Sequence, residues 1–405
     1  MRETVVVKFG GSVLENDQKI RRAAGMIEQM LKESQVVVVV SALKGTTDGL
    51  IRTTRRLNPR ASKELLDDIL AMGERTSARL FAAALSKFGL KPVVVDPGSE
   101  YWPIVTDEGH LDANPLYEET SKLIRERIVP ILQSGAVPIV CGFLGLTKSG
   151  KITTLGRGGS DTTATLLGSC LQAREVVLVK DTEGVFSSDP DKVTNPVPLE
   201  RLNLEEAQIL TAGGAKFLHK KALKYLENGI KVRIASLTSA PLTGTVIVGD
   251  IPDLSLTRSA SDITMFTILA DDVIDTTKLS FIIDEIKKAG RGIAGLTVEE
   301  KSMIVYVKGG KSLLVKIHDA MLKHHIGKAL TSFENLSIII VKGKALETSP
   351  GMVQRVTQPL ARKGINIYGL ETIGSSIRVF VSEEDADRAL SLIKSALMVS
   401  NHAGS

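Results

Sequence analysis

The sequence has only two cysteines in 405 residues, Cys141 and Cys170, and their spacing matches neither a zinc site nor a redox pair. This scarcity excludes a disulfide-stabilised secreted scaffold and favours two buried thiols in a reducing compartment. The longest valine run, residues 36–40, is far too short to cross a membrane. The first residues lack a signal-peptide pattern, so we expect a cytoplasmic protein without a membrane partner.

Long tracts of one charge are also missing. Lys and Arg number 51 against 46 Asp and Glu, and the two signs are interspersed along the chain. The small basic excess is therefore weak evidence for nucleic-acid binding, because scattered Lys and Arg suit small anionic ligands equally well, and we expect no nucleic-acid partner. With 43% hydrophobic and 24% charged residues, the chain has an ordinary globular composition, and its length predicts two or three domains.

Up to about residue 250, β-branched runs alternate with amphipathic helical patterns. This alternation predicts an α/β fold whose mainly parallel sheet is covered by helices on both faces, with ligands bound beyond the carboxyl ends of the strands. The predicted strands are Thr4–Phe9, Gln35–Ser41, Pro92–Asp96, Val137–Phe143, Glu175–Lys180 and Lys231–Ala235. The predicted helices include Gln18–Ser34, Ser62–Phe88 and Pro115–Ser134.

The composition changes after residue 250. Residues 251–262 have one proline and three serines without an apolar period, and they are predicted to be a linker. Beyond it, residues 263–333 and 334–400 each predict a βαββαβ unit, and a pair of such small units is typical of regulatory modules. Residues 401–405 are predicted to be a tail.

Glycine-rich, charged turns follow several predicted strands, but two standard phosphate-loop templates do not fit them. After Gly156 and Gly158, Asp161 occupies the place of the third glycine of a dinucleotide fingerprint. The segment 145–151 imitates a Walker loop, but Ile152 replaces the hydroxyl residue that would hold magnesium. Residues 148–151 are better explained as a hairpin turn.

Four cations accompany these turns, and together they predict a site for a phosphoryl group: Lys8, Arg157, Lys180 and Lys216. Phosphoryl transfer needs mainly positioning and positive charge around the phosphate oxygens, with magnesium carried by the nucleotide. The sequence contains no arrangement typical of a Ser or Cys nucleophile, and no metal-ligating cluster is predicted. A carboxylate acceptor would need no general base, because it is already ionised at neutral pH.

The chain resembles the aspartate kinases of the amino-acid kinase superfamily in six segments, which are KFGGSV at 8–13, GERTS at 73–77, GFLG at 142–145, GRGGSDTTA at 156–164, KDTEGVFSSDP at 180–190 and GGAKFLH at 213–219. The two C-terminal units are similar to ACT domains. The resemblance implies a three-layer αβα kinase domain over residues 1–250, in which about 1–150 bind aspartate and about 151–250 bind ATP. Two ferredoxin-like ACT units would follow it.

The resemblance also implies roles for individual residues. Lys8 and Lys216 would be catalytic cations, and Asp161 would orient them and the attacking carboxylate. Arg157 would bind the α-carboxylate of aspartate, and Glu74 its α-ammonium group. The rest of the substrate pocket would be Ser41, Thr47, Phe143 and Ser160. MgATP would contact Lys8, Phe9, Gly10, Gly11, Lys180, Asp181, Phe186 and Lys216.

Three positions depart from the family pattern, and all are assigned to the nucleotide side. Lys180 stands where Thr or Ser is usual, Phe186 where Tyr is usual, and Asp191 where an Arg often follows the Asp-Pro pair. They bear on nucleotide contacts more than on the type of reaction.

The C-terminal units imply an amino-acid effector, lysine or threonine by resemblance, and a homo-oligomer of at least two chains. The predicted effector site is the turn 347–351, with Ser349 and Gly351, together with Asn366 on the next predicted strand. The open edges of such sheets are usually covered by another unit of the same kind. A helix cap with a purely structural interface is the alternative for this turn.

The leading hypothesis is an ATP-dependent aspartate 4-phosphotransferase that acts in lysine, threonine and methionine synthesis. One alternative is another kinase of the superfamily, acting on glutamate, N-acetylglutamate or UMP; another is an amino-acid sensor that binds without phosphorylating. GERTS, GRGGSDTTA and the two ACT-like units favour aspartate. The argument for an enzyme over a sensor is that five charged residues are intact: Lys8, Glu74, Arg157, Asp161 and Lys216.

Overall fold

The computed structural model describes residues 2–226, 229–238, 243–249, 254–270, 276–343, 346 and 349–398. The chain divides into two compact units, residues 1–251 and 252–405. No helix in the described ranges is long and apolar enough to cross a membrane. The predicted tail, residues 401–405, lies outside the described residues.

The first unit is built on an eight-stranded sheet in which every neighbouring pair is parallel except β12 and β13. The strand order is β11-β13-β12-β8-β1-β2-β5-β3. Its strands are β1 Thr4–Phe9, β2 Gln35–Val40, β3 Pro92–Val95, β5 Val137–Cys141, β8 Glu175–Lys180, β11 Arg201–Asn203, β12 Lys231–Ser236 and β13 Thr245–Val248. Each of the six predicted strands is confirmed to within two residues.

The helices of this unit are α1 Asp17–Met30, α2 Thr46–Leu57, α3 Lys63–Ser86, α4 Tyr117–Gln133, α5 Gly159–Cys170, α6 Leu204–Ala212 and α7 Lys220–Lys224. Five consecutive residues of β1 and of β2 are buried, which requires cover on both faces of the sheet. Strand β2 contacts both α3 and α4, while α1 packs on α3 and α4 packs on α5. The predicted α/β architecture is confirmed, and both cysteines are buried in this core.

Smaller strands complete the first unit: β4 Val105–Thr106, β6 Leu144–Thr147, β7 Ile152–Thr154, β9 Val185–Phe186 and β10 Pro198–Leu199. Strands β6 and β7 are antiparallel, and the turn between them contains Gly150 at φ 83°. The segment that imitates a Walker loop is therefore a hairpin, as predicted.

The second unit has one six-stranded antiparallel sheet in the order β15-β16-β14-β17-β19-β18. Its strands are β14 Ser255–Leu269, β15 Ile293–Val298, β16 Ser302–Lys308, β17 Ala329–Lys342, β18 Gly369–Ile373 and β19 Ser376–Ser382. Its helices are α8 Leu279–Lys288, α9 Leu314–His324, α10 Met352–Arg362 and α11 Ala386–Met398. The helices cover two separate apolar cores, one for each half of the sheet.

Two long strands interlock the halves, and this corrects the predicted linker. Residues 263–269 of β14 pair with 329–336 of β17, whereas residues 255–260 pair with 338–342. The second βαββαβ unit therefore takes its last strand from residues 255–260, which precede the first unit in sequence. Leu256 packs on the second core, and Arg258 pairs with Glu383 and, at 3.1 Å, with Asp387. These residues are strand because they bury apolar surface and complete a sheet edge.

Candidate functional site

The carboxyl ends of β1 and β2 and the start of α5 enclose a cavity of about 370 Å³. Gly11 lies so close to the loop after β2 that an added Cβ would stand 2.6 Å from the Ala42 carbonyl oxygen, and Lys44 N donates to Gly11 O at 3.1 Å. The cavity is lined by Lys8, Gly11, Ser41, Ala42, Leu43, Lys44, Gly45, Thr47, Asp48, Glu74, Phe143, Gly156, Gly158, Gly159, Ser160 and Asp161. Most of the residues predicted to form the substrate pocket therefore line this one cavity.

Asp161 lies in the first turn of α5 and binds two lysines. Lys8 Nζ lies 2.8 Å from Asp161 Oδ1, and Lys180 Nζ donates to Oδ2 at 3.2 Å. Burial opposes ionisation of this carboxyl group, but the charges of Lys8 and Lys180 outweigh it and lower the pKa of Asp161 to about 2. Asp161 is therefore a permanent anion at neutral pH.

Glu74 lies in the middle of α3, where the helix passes against the loop after β2. At the neighbouring Gly73, a Cβ would stand 2.8 Å from Ala42 Cβ, which explains the glycine inside a helix. Ala42 N donates to Glu74 Oε1 at 3.1 Å, while Oε2 is buried without a hydrogen-bond partner among the described residues. Burial raises the pKa of Glu74 to about 7. This oxygen is poised for a cationic ligand group.

Three other segments pack directly on the glycines of the turn before α5. A Cβ added at Gly156 would lie 2.4 Å from Asp112 Oδ1, and one added at Gly158 would lie 2.2 Å from His219 Cβ. A Cβ added at Gly159 would lie 2.7 Å from the Phe143 ring. Gly156 and Gly158 also have φ of 71° and 70°, a conformation that favours glycine. The bare turn thus results from close packing of the cavity wall.

Phe143 contributes a second backbone feature to this wall. Its φ of 69° is left-handed, which is uncommon for an aromatic residue. Thr163 Oγ1 lies 3.1 Å from the Phe143 amide, and Leu155 N donates to its carbonyl oxygen at 2.8 Å. Phe143 lines the cavity, so this uncommon backbone conformation forms part of the cavity wall.

Lys221 stabilises the turn before α5 by hydrogen bonds to three neighbouring residues. Its Nζ donates to Asp112 Oδ1 at 2.7 Å, Leu155 O at 2.8 Å and Ala113 O at 2.9 Å, which uses all three of its N–H groups. The side chain is 13% exposed. Nothing in the sequence distinguishes Lys221 from Lys220, because the acceptors are on segments about 65 and 110 residues away.

Several predicted site residues lie outside the cavity lining. Arg157 is exposed, although its neighbours Gly156 and Gly158 line the cavity. Phe9 is fully buried in the core, and Phe186 is half-buried in β9. Asp181 is exposed, and its charge reaches Lys44, whose raised pKa comes mainly from its hydrogen bond with Glu15. Gly10 is held to β8 by donating to Val179 O at 3.3 Å.

The expected pairing of Asp161 with Lys216 is replaced by pairing with Lys180. Lys216 is exposed in the segment between α6 and α7, and in the described part of the chain it forms no ion pair with Asp161. Its charge lies near Asp189, whose pKa is lowered mainly by the backbone N–H of Asp191. Parallel pairing of β8 beside β1 puts Lys180 at the same sheet edge as Lys8.

The predicted effector residues are in the second unit. Gly351 caps the start of α10 with φ 80°, and it is exposed, as are Ser349 and Asn366. Residues 347 and 348 of the predicted turn lie outside the described residues.

Comparison with known proteins gives a consistent family assignment. The amino acid kinase family model matches residues 3–236, and an ACT domain model matches residues 332–395. Aspartokinase 2 of Bacillus subtilis is 30% identical over 423 aligned residues, which cover 98% of each chain. An aspartokinase of Geobacillus stearothermophilus is 37% identical over 227 residues, which span 55% of this chain and about half, 54%, of that relative.

The fold agrees with that assignment. The crystal structure of aspartate kinase from Synechocystis superposes with a TM-score of 0.75, at 22% identity, over 97% of this chain and 69% of the other. Aspartokinase III of E. coli, in complex with aspartate and ADP, has a TM-score of 0.55 at 22% identity. The chain belongs to the amino acid kinase family and, within it, to the aspartokinases.

Proposed function

We propose that this chain transfers the γ-phosphoryl group of MgATP to the side-chain carboxylate of L-aspartate, giving 4-phospho-L-aspartate and ADP. A carboxylate oxygen forms the new bond to the γ-phosphorus, and the bond from phosphorus to the β,γ-bridging oxygen breaks, its electrons leaving with ADP. The observation that carries the proposal is one cavity lined by Lys8, Asp161 and Glu74, whose Oε2 has no hydrogen-bond partner in the part of the chain that the structure describes.

Different residues of the cavity would bind the α-groups of aspartate and the transferred phosphoryl group. Glu74 would bind the α-ammonium group of aspartate. Arg157, which is exposed in the turn before α5, would bind the α-carboxylate. Lys8 would bind phosphate oxygens, and Ser41, Thr47 and Ser160 would donate hydroxyl contacts to the substrate. The acceptor carboxylate needs no general base, so the protein supplies positioning and charge.

The nucleotide would lie on the side of β8, β9 and the segment before α7. At that end of the sheet Lys8 is buried and Lys180 is half-buried. The nucleotide would also contact the half-buried Phe186 and the exposed Asp181 and Lys216. Magnesium would arrive with ATP as part of the substrate.

The remaining features concern the whole protein. We assign the reaction to the start of lysine, threonine and methionine synthesis in the cytoplasm, on the strength of the aspartokinase relatives. The second unit would pair with a second copy of the chain and bind lysine or threonine near Ser349, Gly351 and Asn366. Gly351 caps the start of α10, and the first N–H groups of a helix have no acceptor within it. An aspartokinase III structure from E. coli contains lysine and aspartate, which supports an effector of this type.

A coupled assay of ADP release with one acceptor at a time tests the reaction. We expect ADP release with L-aspartate, and little with glutamate, N-acetylglutamate or UMP. Release with UMP or glutamate alone would assign another kinase reaction of the superfamily. Aspartate binding without ADP release from any acceptor would identify an amino-acid sensor.

A further inference from the structure

The buried carboxylate of Asp161 is shared by two ammonium groups. Lys8 lies 2.8 Å from one oxygen and Lys180 lies 3.2 Å from the other. Asp161 and Lys8 are 5% and 7% exposed, and the Lys180 side chain is 21% exposed. One negative charge therefore faces two positive charges in a site largely removed from water.

The sheet fixes this arrangement. In the parallel pair of β1 and β8, Lys8 is level with Leu178, so Lys180 stands two residues further along at the edge where both strands end. Gly10 N donates to Val179 O at 3.3 Å and holds the two strand ends together. Lys180 is thus positioned by regular secondary structure, unlike Lys216, which is exposed between two helices.

Two lysines beside one carboxylate leave one positive charge without a partner charge of its own. A buried ion is stable only when it is paired, and Asp161 neutralises just one of its two partners. Burial lowers the pKa of Lys180, with Lys8 adding to the effect and Asp161 opposing it. An anionic ligand that enters beside the two lysines would restore the balance, and a phosphoryl group carries the required charge.

We propose that Lys180 is a catalytic cation that binds the transferred phosphoryl group together with Lys8, with Asp161 aligning both. This inference rests on the proposed kinase function. It assigns to Lys180 the role of second phosphate-binding lysine that the family resemblance gives to Lys216. Lys216 then serves the nucleotide at the surface, where its loss affects ATP binding more than turnover.

Lys180→Met tests the proposal, because it removes the charge and retains most of the side-chain length. We expect kcat to fall about 100-fold or more, the size of effect found when one group that stabilises developing charge is removed. Lys216→Met should mainly raise the KM for ATP. Lys122→Met, at an exposed position on α4, is the matched control and should leave both constants unchanged.

A binding measurement separates this role from a structural one and from the proposed function itself. Inorganic triphosphate should raise the melting temperature of the wild type and of Lys122→Met, and should fail to do so in Lys180→Met. The change in melting temperature requires no turnover, so it tests phosphate binding even if no acceptor supports ADP release. A lack of ADP release with every acceptor would overturn only the aspartate kinase proposal. Lys180→Gln, which retains a donor toward Asp161 without the charge, replaces the methionine variant if that variant does not fold.

The proposal is overturned by two results. The first is a Lys180→Met enzyme whose kcat stays within about threefold of the wild type, because a group that stabilises the transition state must affect turnover. The second is an unchanged response to triphosphate in both Lys180 variants. Either of these two results would show that Lys180 only balances the charge of Asp161 and does not bind the phosphoryl group.

Discussion

At the scale of single residues, Glu74 links burial to substrate binding. The residue is 3% exposed, and burial raises the pKa of its carboxyl group to about 7, so the neutral form of Glu74 is populated near neutral pH before ligand binds. An incoming ammonium group needs the ionised form. At a pH below that pKa, binding of aspartate must therefore remove a proton from Glu74.

Aspartate should consequently bind more weakly in acid. Aspartate keeps its α-ammonium and its side-chain carboxylate charged between about pH 6 and pH 8, so Glu74 dominates the titration. We expect the dissociation constant of aspartate, measured by calorimetry without nucleotide, to rise about tenfold from pH 8 to pH 6, since the affinity falls tenfold per unit below the pKa.

Glu74→Gln is the matched control, because it keeps the shape and removes the titration. Its aspartate affinity should be low and nearly independent of pH. Equal affinity of the wild type at both pH values would show that Glu74 does not receive the ammonium group.

The residues that the sequence predicts best are those whose neighbours in sequence are also their neighbours in the site. Lys8 lies just before a pair of glycines, Asp161 follows a glycine-rich turn at the start of a helix, and Glu74 adjoins an unexpected helical glycine. The partner of Asp161 depends instead on β8 lying beside β1, a tertiary pairing of segments 170 residues apart. The resemblance therefore implies Lys216 as the second catalytic cation, whereas the second lysine beside Asp161 in the structure is Lys180.

At the scale of elements, the turn before α5 connects the substrate side to the nucleotide side. Gly158 packs on His219, which caps α7 by accepting from Lys221 N at 3.3 Å, and the same segment carries Lys216. A shift of this turn therefore moves the start of α5, and Asp161 with it.

Gly158→Ala should impair catalysis more than its backbone strain alone predicts. A left-handed alanine costs about 1 kcal/mol, and here its Cβ would also overlap His219. We expect kcat/KM for aspartate to fall by roughly 10- to 100-fold, as displacement of reacting groups by about 1 Å typically causes.

Gly150→Ala is a matched control in the hairpin between β6 and β7. Gly150 has φ 83°, but nothing lies within 4 Å of an added Cβ. It should lose similar stability to strain and keep its kcat/KM. Equal kinetic effects of the two substitutions would contradict a special role for the contact with His219.

The elements of the first unit follow closely from periodicity, because its strands are continuous apolar runs with buried faces on both sides. The interlocked strands β14 and β17 do not. Residues 255–261 alternate weakly and are rich in serine, so their strand character comes from pairing with residues 338–342. Sequence periodicity carries no information about a partner 80 residues away, and the segment was predicted as a linker.

At the scale of the whole molecule, the two units have separate cores, so catalysis and regulation should separate by truncation. A chain that ends at residue 251 contains the complete first unit and should keep aspartate-dependent ADP release. If lysine or threonine inhibits the full chain, this shorter chain should be insensitive. Equal inhibition of both chains would place the effector site in the first unit.

The position of the cut matters because of the interlocked strands. A chain ending at residue 261 would retain residues 255–260 without their partners at 338–342. An unpaired strand edge promotes association, so this longer fragment should aggregate more than the fragment ending at 251. Light scattering of the two fragments at equal concentration compares them directly.

The central claim is that the cavity phosphorylates the side-chain carboxylate of aspartate, and its product is the most direct test. An acyl phosphate reacts with hydroxylamine to give a hydroxamate, which mass spectrometry locates on the α- or the side-chain carboxyl group. The account predicts an ATP-dependent hydroxamate of the aspartate side chain with the wild type, and almost none with Lys8→Ala. ADP release without hydroxamate, or a hydroxamate on the α-carboxyl group, would contradict it.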